Sequence, residues 1–249
     1  MGSEQELRER LESVRSRIAA AAQRAGRAPE DVRLVAVSKT VPAERVAALA
    51  RLGVDCFGEN RVEEAVDKLP QIREILGPEA YDRLRWCLIG HLQSRKVHQA
   101  VTLFDEIHSL DSLRLAMRLD RQAADLERPL PVLLEINISG EASKFGLPAG
   151  RWPEDAGQSA ALYADIEAIL ALPHLAVQGL MTIAPLVADP EQARPFFRRL
   201  RQLRDALRGR FPEGAWRELS MGMSDDYEVA IEEGSTMVRL GRALFGPRG

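Results

Sequence analysis

The hexapeptide VAVSKT places Lys39 at the end of an apolar run, and an amine in that position has two chemical fates. As an exposed side chain it lays its stem along apolar surface and keeps its ammonium in water. As a desolvated one it loses its proton more readily and becomes a nucleophile that forms an imine with a carbonyl compound. Two further segments carry complementary chemistry. In SMGMS, Gly222 lets backbone approach an anion, and Ser220 and Ser224 offer hydroxyl donors. In RLGR, Arg239 sits inside an apolar run, where an unpaired guanidinium is rare, and Gly241 and Arg242 add backbone amides. Ser224 equally suits the N-cap of a helix ending before Gly234, and Arg239 could instead face outward between helices. Asp225 and Asp226 favour a helix's first turn but repel phosphate, which leaves an anion to Ser220 and the Gly241–Arg242 amides.

These residues need elements to carry them. Eight runs read as strands: 32–38, 54–58, 84–90, 103–109, 130–138, 175–181, 216–222 and 236–241. Several are continuously apolar, as expected of parallel strands buried on both faces. Helical patterns lie between them, for example at 42–53, 111–127 and 189–210. Residues 1–27 form a further amphipathic helix, with Leu7, Leu11, Val14, Ile18 and Ala22 at helical spacing. Eight β-then-α units in 249 residues predict an α/β fold, a single (β/α)8 TIM-type barrel over 1–249 with the helix 1–27 packed on it. A doubly wound open sheet seldom needs so many regular repeats. Residues 139–157, after the fifth strand, read as an irregular loop on the active face.

Barrels of this kind gather their sites at the C-terminal strand ends and often hold phosphate after strands 7 and 8. Lys39 ends strand 1, SMGMS follows strand 7, and Arg239 lies on strand 8, which meets strand 1 on closure. Their convergence favours the nucleophilic reading, an imine between Lys39 and a phosphorylated aldehyde.

The segments VAVSKTVP (35–42), FGENRVEEA (57–65), IGHLQSRK (89–96), NISGEASKFGL (137–147), GLMTI (179–183) and SMGMSDDYEVAIEEGSTMVRLG (220–241) resemble the pyridoxal phosphate homeostasis protein family. Its barrel is similar to the alanine racemase N-terminal domain, and the likeness spans roughly residues 8–247. The resemblance implies that Lys39 holds pyridoxal 5′-phosphate (PLP) as a Schiff base. It implies that Ser220 and the backbone at Gly241 and Arg242 hold the phosphate, with Arg239 facing the pyridine nitrogen. Asn60 would lie near the ring substituents, unless it caps the following helix, and Met181 would form a pocket wall. A cation at the ring nitrogen disfavours its protonation and weakens the ring as an electron sink. The implied role is therefore to hold PLP and deliver it to apo-enzymes without turnover.

The alternative is a fold-type III enzyme such as an amino-acid racemase. That chemistry needs a second acid/base, a tyrosine from a C-terminal β domain. The expectation is that none is supplied: the sequence stops at Gly249, and Tyr81, Tyr163 and Tyr227 lie in or at the start of helical stretches. A Schiff-base aldolase acting on a sugar phosphate is a third reading of the same lysine.

Composition narrows the field further. Thirty-four Lys and Arg are interspersed with 37 Asp and Glu for a net charge of −3, so no basic field marks a nucleic-acid partner. The basic stretch FFRRLRQLRDALRGR interleaves Phe196, Phe197, Leu200, Leu203 and Leu207 and reads as an amphipathic helix. Two cysteines, Cys56 and Cys87, make no disulfide framework, and no run approaches a membrane span, so a cytoplasmic protein is expected; with no large unexplained apolar patch in the sequence, a monomer is the default. His91, His98, His108 and His174 show no HxxxH or Cys/His cluster, so no metal site is expected. His91 reads as a hydrogen-bonded loop residue. Lys144 is a second amine on the active face, either solvated or a transient acceptor of the aldehyde. Hydrolase, NTPase and dinucleotide signatures are missing.

Overall fold

A computed structural model describes residues 4–247; the remaining positions of the expected 1–249 unit and 1–27 helix lie outside the described residues. The strands are β1 (Arg33–Val37), β2 (Cys56–Glu59), β3 (Arg85–Leu88), β4 (Glu106–Leu110), β5 (Leu130–Asn137), β6 (Leu175–Met181), β7 (Glu218–Ser220) and β8 (Met237–Leu240). Each pairs in parallel with its chain neighbours. Pairing of β8 with β1, through Val35 and Arg239, closes the sheet into a barrel with no open edge. Each expected run overlaps one of these strands; β2 and β4 extend one residue past their runs, to Glu59 and Leu110, and β6 matches its run in full. The seventh shrinks most, because Trp216 sits at a positive φ of 47° and cannot enter the ladder.

Ten helices surround the barrel: α1 (Glu4–Arg24), α2 (Ala43–Arg51), α3 (Val62–Leu76), α4 (Pro78–Tyr81), α5 (Val97–Leu103), α6 (Leu113–Ala123), α7 (Ala156–Leu170), α8 (Arg194–Arg210), α9 (Tyr227–Glu232) and α10 (Arg242–Phe245) among the described residues. Strand side chains alternate between two apolar clusters. The outward residues, among them Ala36, Phe57, Leu88, Ile107, Leu134 and Leu180, join the helices in one large core. The inward residues Val35, Val37, Cys56, Cys87, Ile89, Leu133, Met181 and Met237 form a separate cluster inside the barrel. Because both faces are buried, the runs look continuously apolar in the sequence.

Helix α1 covers α2, α9 and α10 and buries Leu7, Leu11, Val14 and Ile18 beneath it. Arg24 on its exposed face pairs with Glu232 at 2.7 Å. On α8, Phe197, Leu200, Leu203 and Leu207 are buried, and Arg194, Arg198 and Arg201 all reach Glu233. Much of its basic face is thus committed within the fold. The 139–157 stretch is less irregular than expected. Leu147–Pro148 adds a short parallel ladder to β5, and α7 begins at Ala156 with Asp155 as its N-cap, accepting from the Gln158 amide at 2.9 Å. Among the described residues no helix is long and apolar enough to cross a membrane.

Leu11 is 2 % exposed and anchors α1 to the barrel. Leu11→Ala is expected to lower unfolding free energy by about 3 kcal/mol, from lost burial plus the cavity left behind. Urea titration of the two proteins measures it.

Candidate functional site

Lys39 lies two residues past the end of β1 and is half-buried, and it lines a cleft of about 590 Å³ shared with Val41, Pro42, Gly241, Arg242 and Phe245. The turn that carries it is held from both sides. Thr40 has a positive φ of 61°, a conformation that costs a β-branched residue free energy. Its amide donates to Glu64 on α3. On the other side, Lys68 Nζ donates to the Ser38 carbonyl at 2.7 Å and to Glu59 Oε1 at 2.9 Å, and it also meets Glu64. Ser38 Oγ donates to the same Glu59 oxygen at 2.7 Å. Burial pushes the Glu59 carboxyl up, and Lys68 opposes that rise. One buried ammonium thereby ties β1, β2 and α3 around the Lys39 turn.

Arg239 points inward, so the outward reading is set aside. It is 4 % exposed, and its Nη1 donates to the Ser220 carbonyl at 2.6 Å and Ser220 Oγ at 2.7 Å. Its Nη2 donates to the Thr182 carbonyl at 2.8 Å. Burial lowers its pKa to about 10, opposed by Glu135 and Asp226. At that value the guanidinium remains charged at neutral pH.

Below Arg239 the barrel interior is polar. His108 on β4 lies between Ser220 Oγ, 3.4 Å from Nδ1, and Glu106 Oε2, 3.2 Å from Nε2. Glu106 also accepts from Arg33 at 3.2 Å and Arg85 at 3.1 Å. Burial would raise the Glu106 carboxyl, but the His108 hydrogen bond and the two arginines hold it at about 2. Burial keeps His108 below its usual range despite Glu106. Across the interior, Glu135 on β5 is pushed up to about 7 by burial and by Asp111, with Arg239 opposing.

None of these three groups was singled out from sequence. The available signal was periodic: Glu106 and His108 stand two apart on one strand face, and Glu135 stands two from inward Leu133 on the same face. Cys87, Glu106 and His108 also correct the expectation that no Cys/His cluster exists, since the neighbouring strands β3 and β4 bring them within 4.8 Å. Within it, Glu106 accepts from Arg33 and Arg85 and meets His108, while Cys87 contacts Cys56. Cys56 and Cys87 lie side by side in the interior as thiols, 3.6 Å apart.

The other sequence-derived residues fall as follows. Gly222 has a positive φ of 94°, and a Cβ there would lie 2.6 Å from Ala230 and 2.9 Å from Tyr227, so glycine is demanded by packing. Ser224 does not cap the next helix. Asp226 takes that position and accepts from the Met223 amide at 2.6 Å, while Ser224 Oγ accepts from the Ala243 amide at 3.3 Å. Arg242 pairs with Asp225, which turns that acid toward a cation. Asn60 does not cap α3 either: Arg61 is the N-cap, and Asn60 Oδ1 is buried without a partner. Met181 is fully buried in the interior cluster. His91 bonds Asp111 at 2.8 Å and stacks on Phe145, and Lys144 pairs with Glu141.

The closed barrel, with a lysine after β1 and an inward arginine on the adjoining β8, matches the family profile of the alanine racemase N-terminal domain over residues 10–249. The chain is 41% identical over 240 residues to a pyridoxal phosphate homeostasis protein of Aquifex aeolicus, covering 96% of this chain and 97% of that one. It is 43% identical over 242 residues to the protein of that description from Escherichia coli K12, covering 96% and 95%. Among solved structures, PipY of Synechococcus elongatus with PLP bound superposes with a TM-score of 0.80 at 35% identity, over 96% of this chain and all of the other. An alanine racemase of Clostridium difficile shares the fold at 18% identity and a TM-score of 0.64, over 98% of this chain and 56% of that one. The chain belongs to the pyridoxal phosphate homeostasis protein family.

Two outcomes are expected from this geometry. Lys68→Met leaves Glu59 buried without its cation and should cost about 3 kcal/mol in a urea melt. Glu135, raised from an ordinary 4.5 to about 7, adds stability that is fully present below pH 4.5 and lost as pH rises through 7. Glu135→Gln should therefore gain on the parent protein between pH 5 and 8 by about 3 kcal/mol at most. Parallel pH-dependent melts read the difference.

Proposed function

We propose that the chain is a single-domain PLP holder that carries the cofactor as a Schiff base on Lys39 and supplies it to apo PLP-dependent enzymes in the cytoplasm, acting as a monomer and without turnover of its own. The observation that carries this reading is the meeting of Lys39, Gly241 and Arg242 on one cleft, beside the inward Arg239.

The residues fit the group. Gly241 has an ordinary φ of −110°, and an added Cβ would meet nothing closer than 3.4 Å, so protein packing does not require glycine there. A bare backbone suits close approach of a phosphate. Ser224 Oγ lies on the amide that follows, whereas Ser220 Oγ is turned down toward Arg239 and His108. Ser224 with the Gly241 and Arg242 amides would thus hold the phosphate, and Ser220 with Gly222 shapes the floor and fixes Arg239. Arg239 would face the ring nitrogen. The unpartnered Asn60 Oδ1 meets a ring substituent, and Met181 supplies apolar wall.

When bound, PLP supplies an aldehyde that condenses reversibly with an amine, releasing water. Lys39 provides that amine, and the Lys68–Glu59–Glu64 clamp holds its turn. The cation of Arg239 keeps the ring nitrogen unprotonated, which limits electron withdrawal.

The tyrosine positions support a holder over a racemase. Tyr81 ends α4, Tyr163 accepts from Trp152 Nε1 at 2.9 Å, and the Tyr227 hydroxyl is buried without a partner. None lines the Lys39 cleft.

Borohydride reduction of the PLP-treated protein, followed by peptide mapping, should place the pyridoxyl mass on Lys39, and Lys39→Ala should lose both adduct and yellow colour. An adduct elsewhere, or racemisation of amino acids by the parent protein, would refute the reading.

A further inference from the structure

The polar column beneath Arg239 crosses the barrel, and neither an aldehyde nor a phosphate requires it. His108 stands on β4 and Ser220 on β7, two strands that are not neighbours, so their contact spans the interior. Both ends of the column have fixed hydrogen-bonding roles. Arginine has no acceptor, so Arg239 donates to Ser220 Oγ. At the base, Glu106 is an acceptor already receiving Arg33 and Arg85. The single hydroxyl proton of Ser220 is then directed to His108 Nδ1, and His108 Nε2–H is directed to Glu106. Every bond points the same way. The groups facing His108 are Glu106 on its own strand, Arg239 from β8, Arg33 from β1, Cys87 from β3 and Ser220 from β7.

We propose that His108 is a positioning residue for the cofactor site, which acts through Ser220 to aim the Arg239 guanidinium and so sets the electronic state of the bound ring. The proposal rests on the placement of the ring nitrogen against Arg239 given above. Without an acceptor at Nδ1, the Ser220 hydroxyl has nowhere to send its proton in this column, and its lone pair is no longer held toward Nη1. Three of the five guanidinium donors lie on Ser220 and Thr182, so freeing the hydroxyl loosens the whole group.

The test has two arms on the full chain. In the first, ¹⁵N NMR of the ligand-free protein at pH 7 should show a neutral His108 with its proton on Nε2; a proton on Nδ1 overturns the proposal. In the second, PLP binding and the pH titration of the bound cofactor's absorption band are compared for the parent protein, His108→Leu and His108→Asn. The leucine variant should bind PLP about tenfold more weakly, the loss of a hydrogen bond serving a charged group, with a displaced titration midpoint. Asparagine keeps an acceptor near the Nδ1 position and should recover part of both effects. Unchanged affinity and midpoint in the leucine variant overturn the proposal. Should leucine fail to fold, Glu106→Gln preserves the shape of the column base and should move the midpoint in the same sense by less; an unmoved midpoint counts equally against it. Absence of any Lys39 adduct in the parent protein would remove the proposed function instead, while the NMR arm still judges the column.

Discussion

Burying a guanidinium inside a parallel barrel sets the terms for most of this structure. An uncompensated cation in that environment is prohibitive, and a buried polar group is tolerated only with oriented partners. Arg239 finds three acceptor contacts on β7 and the segment after β6, with the Glu135 carboxyl across the interior. One of those acceptors, Ser220 Oγ, is itself a hydroxyl that needs orientation, which brings in His108, then Glu106, then the arginines at the base. Barrels of this type usually fill the interior with layers of branched apolar side chains. Here the apolar cluster of Val35, Cys56, Cys87, Leu133 and Met237 occupies only part of the interior, and a charged column takes the rest.

The turn at Lys39 answers a second constraint by the same means. A β-branched threonine at positive φ and a half-buried lysine beside it both need support from outside the turn. The support is again ionic and internal: Lys68 reaches from α3 to a backbone carbonyl on one side, and Glu64 takes the amide on the other. Two independent buried charge networks, one under β1 and one under β8, thus meet at the same rim of the barrel. Their strands are hydrogen-bonded neighbours, so rigidity in each is transmitted to the other through the Val35–Arg239 register.

This division explains what was legible in the sequence. All eight strands showed as strand-like runs, several of them continuously apolar because both their faces are covered. Lys39 and Arg239 were legible as interruptions of such runs. The two serines of SMGMS were not separable: each offers a hydroxyl near the same glycine, and only the closed barrel shows Ser220 turned down and Ser224 turned to α10. Gly222 looked like room for an anion, yet Ala230 and Tyr227 take that space. The capping expectation for Ser224 failed because the helix starts two residues later than expected, with Asp226 at the N-cap position and bonded back to the Met223 amide. His108 and Glu106 escaped notice because their partners lie on strands far away in the chain, where spacing rules for local motifs carry no information.

The electrostatics of the site bear on why such a barrel would hold PLP without transforming it, as proposed. Catalytic PLP sites draw electrons toward a protonated ring nitrogen, which an acidic partner encourages. Here the charge order is reversed. The buried cation stands on the proposed ring side, while the ionised carboxylate of Glu106 lies a histidine and a serine further down. Glu135, the other acid in range, has its carboxyl raised by burial and is only partly ionised near neutral pH. Moving that charge closer to the ring would require displacing the column that keeps Arg239 in place. The same bonds that make a buried arginine tolerable therefore also oppose the acidic environment that carbanion chemistry demands, and the fold's main structural problem and its chemical restraint have a single solution.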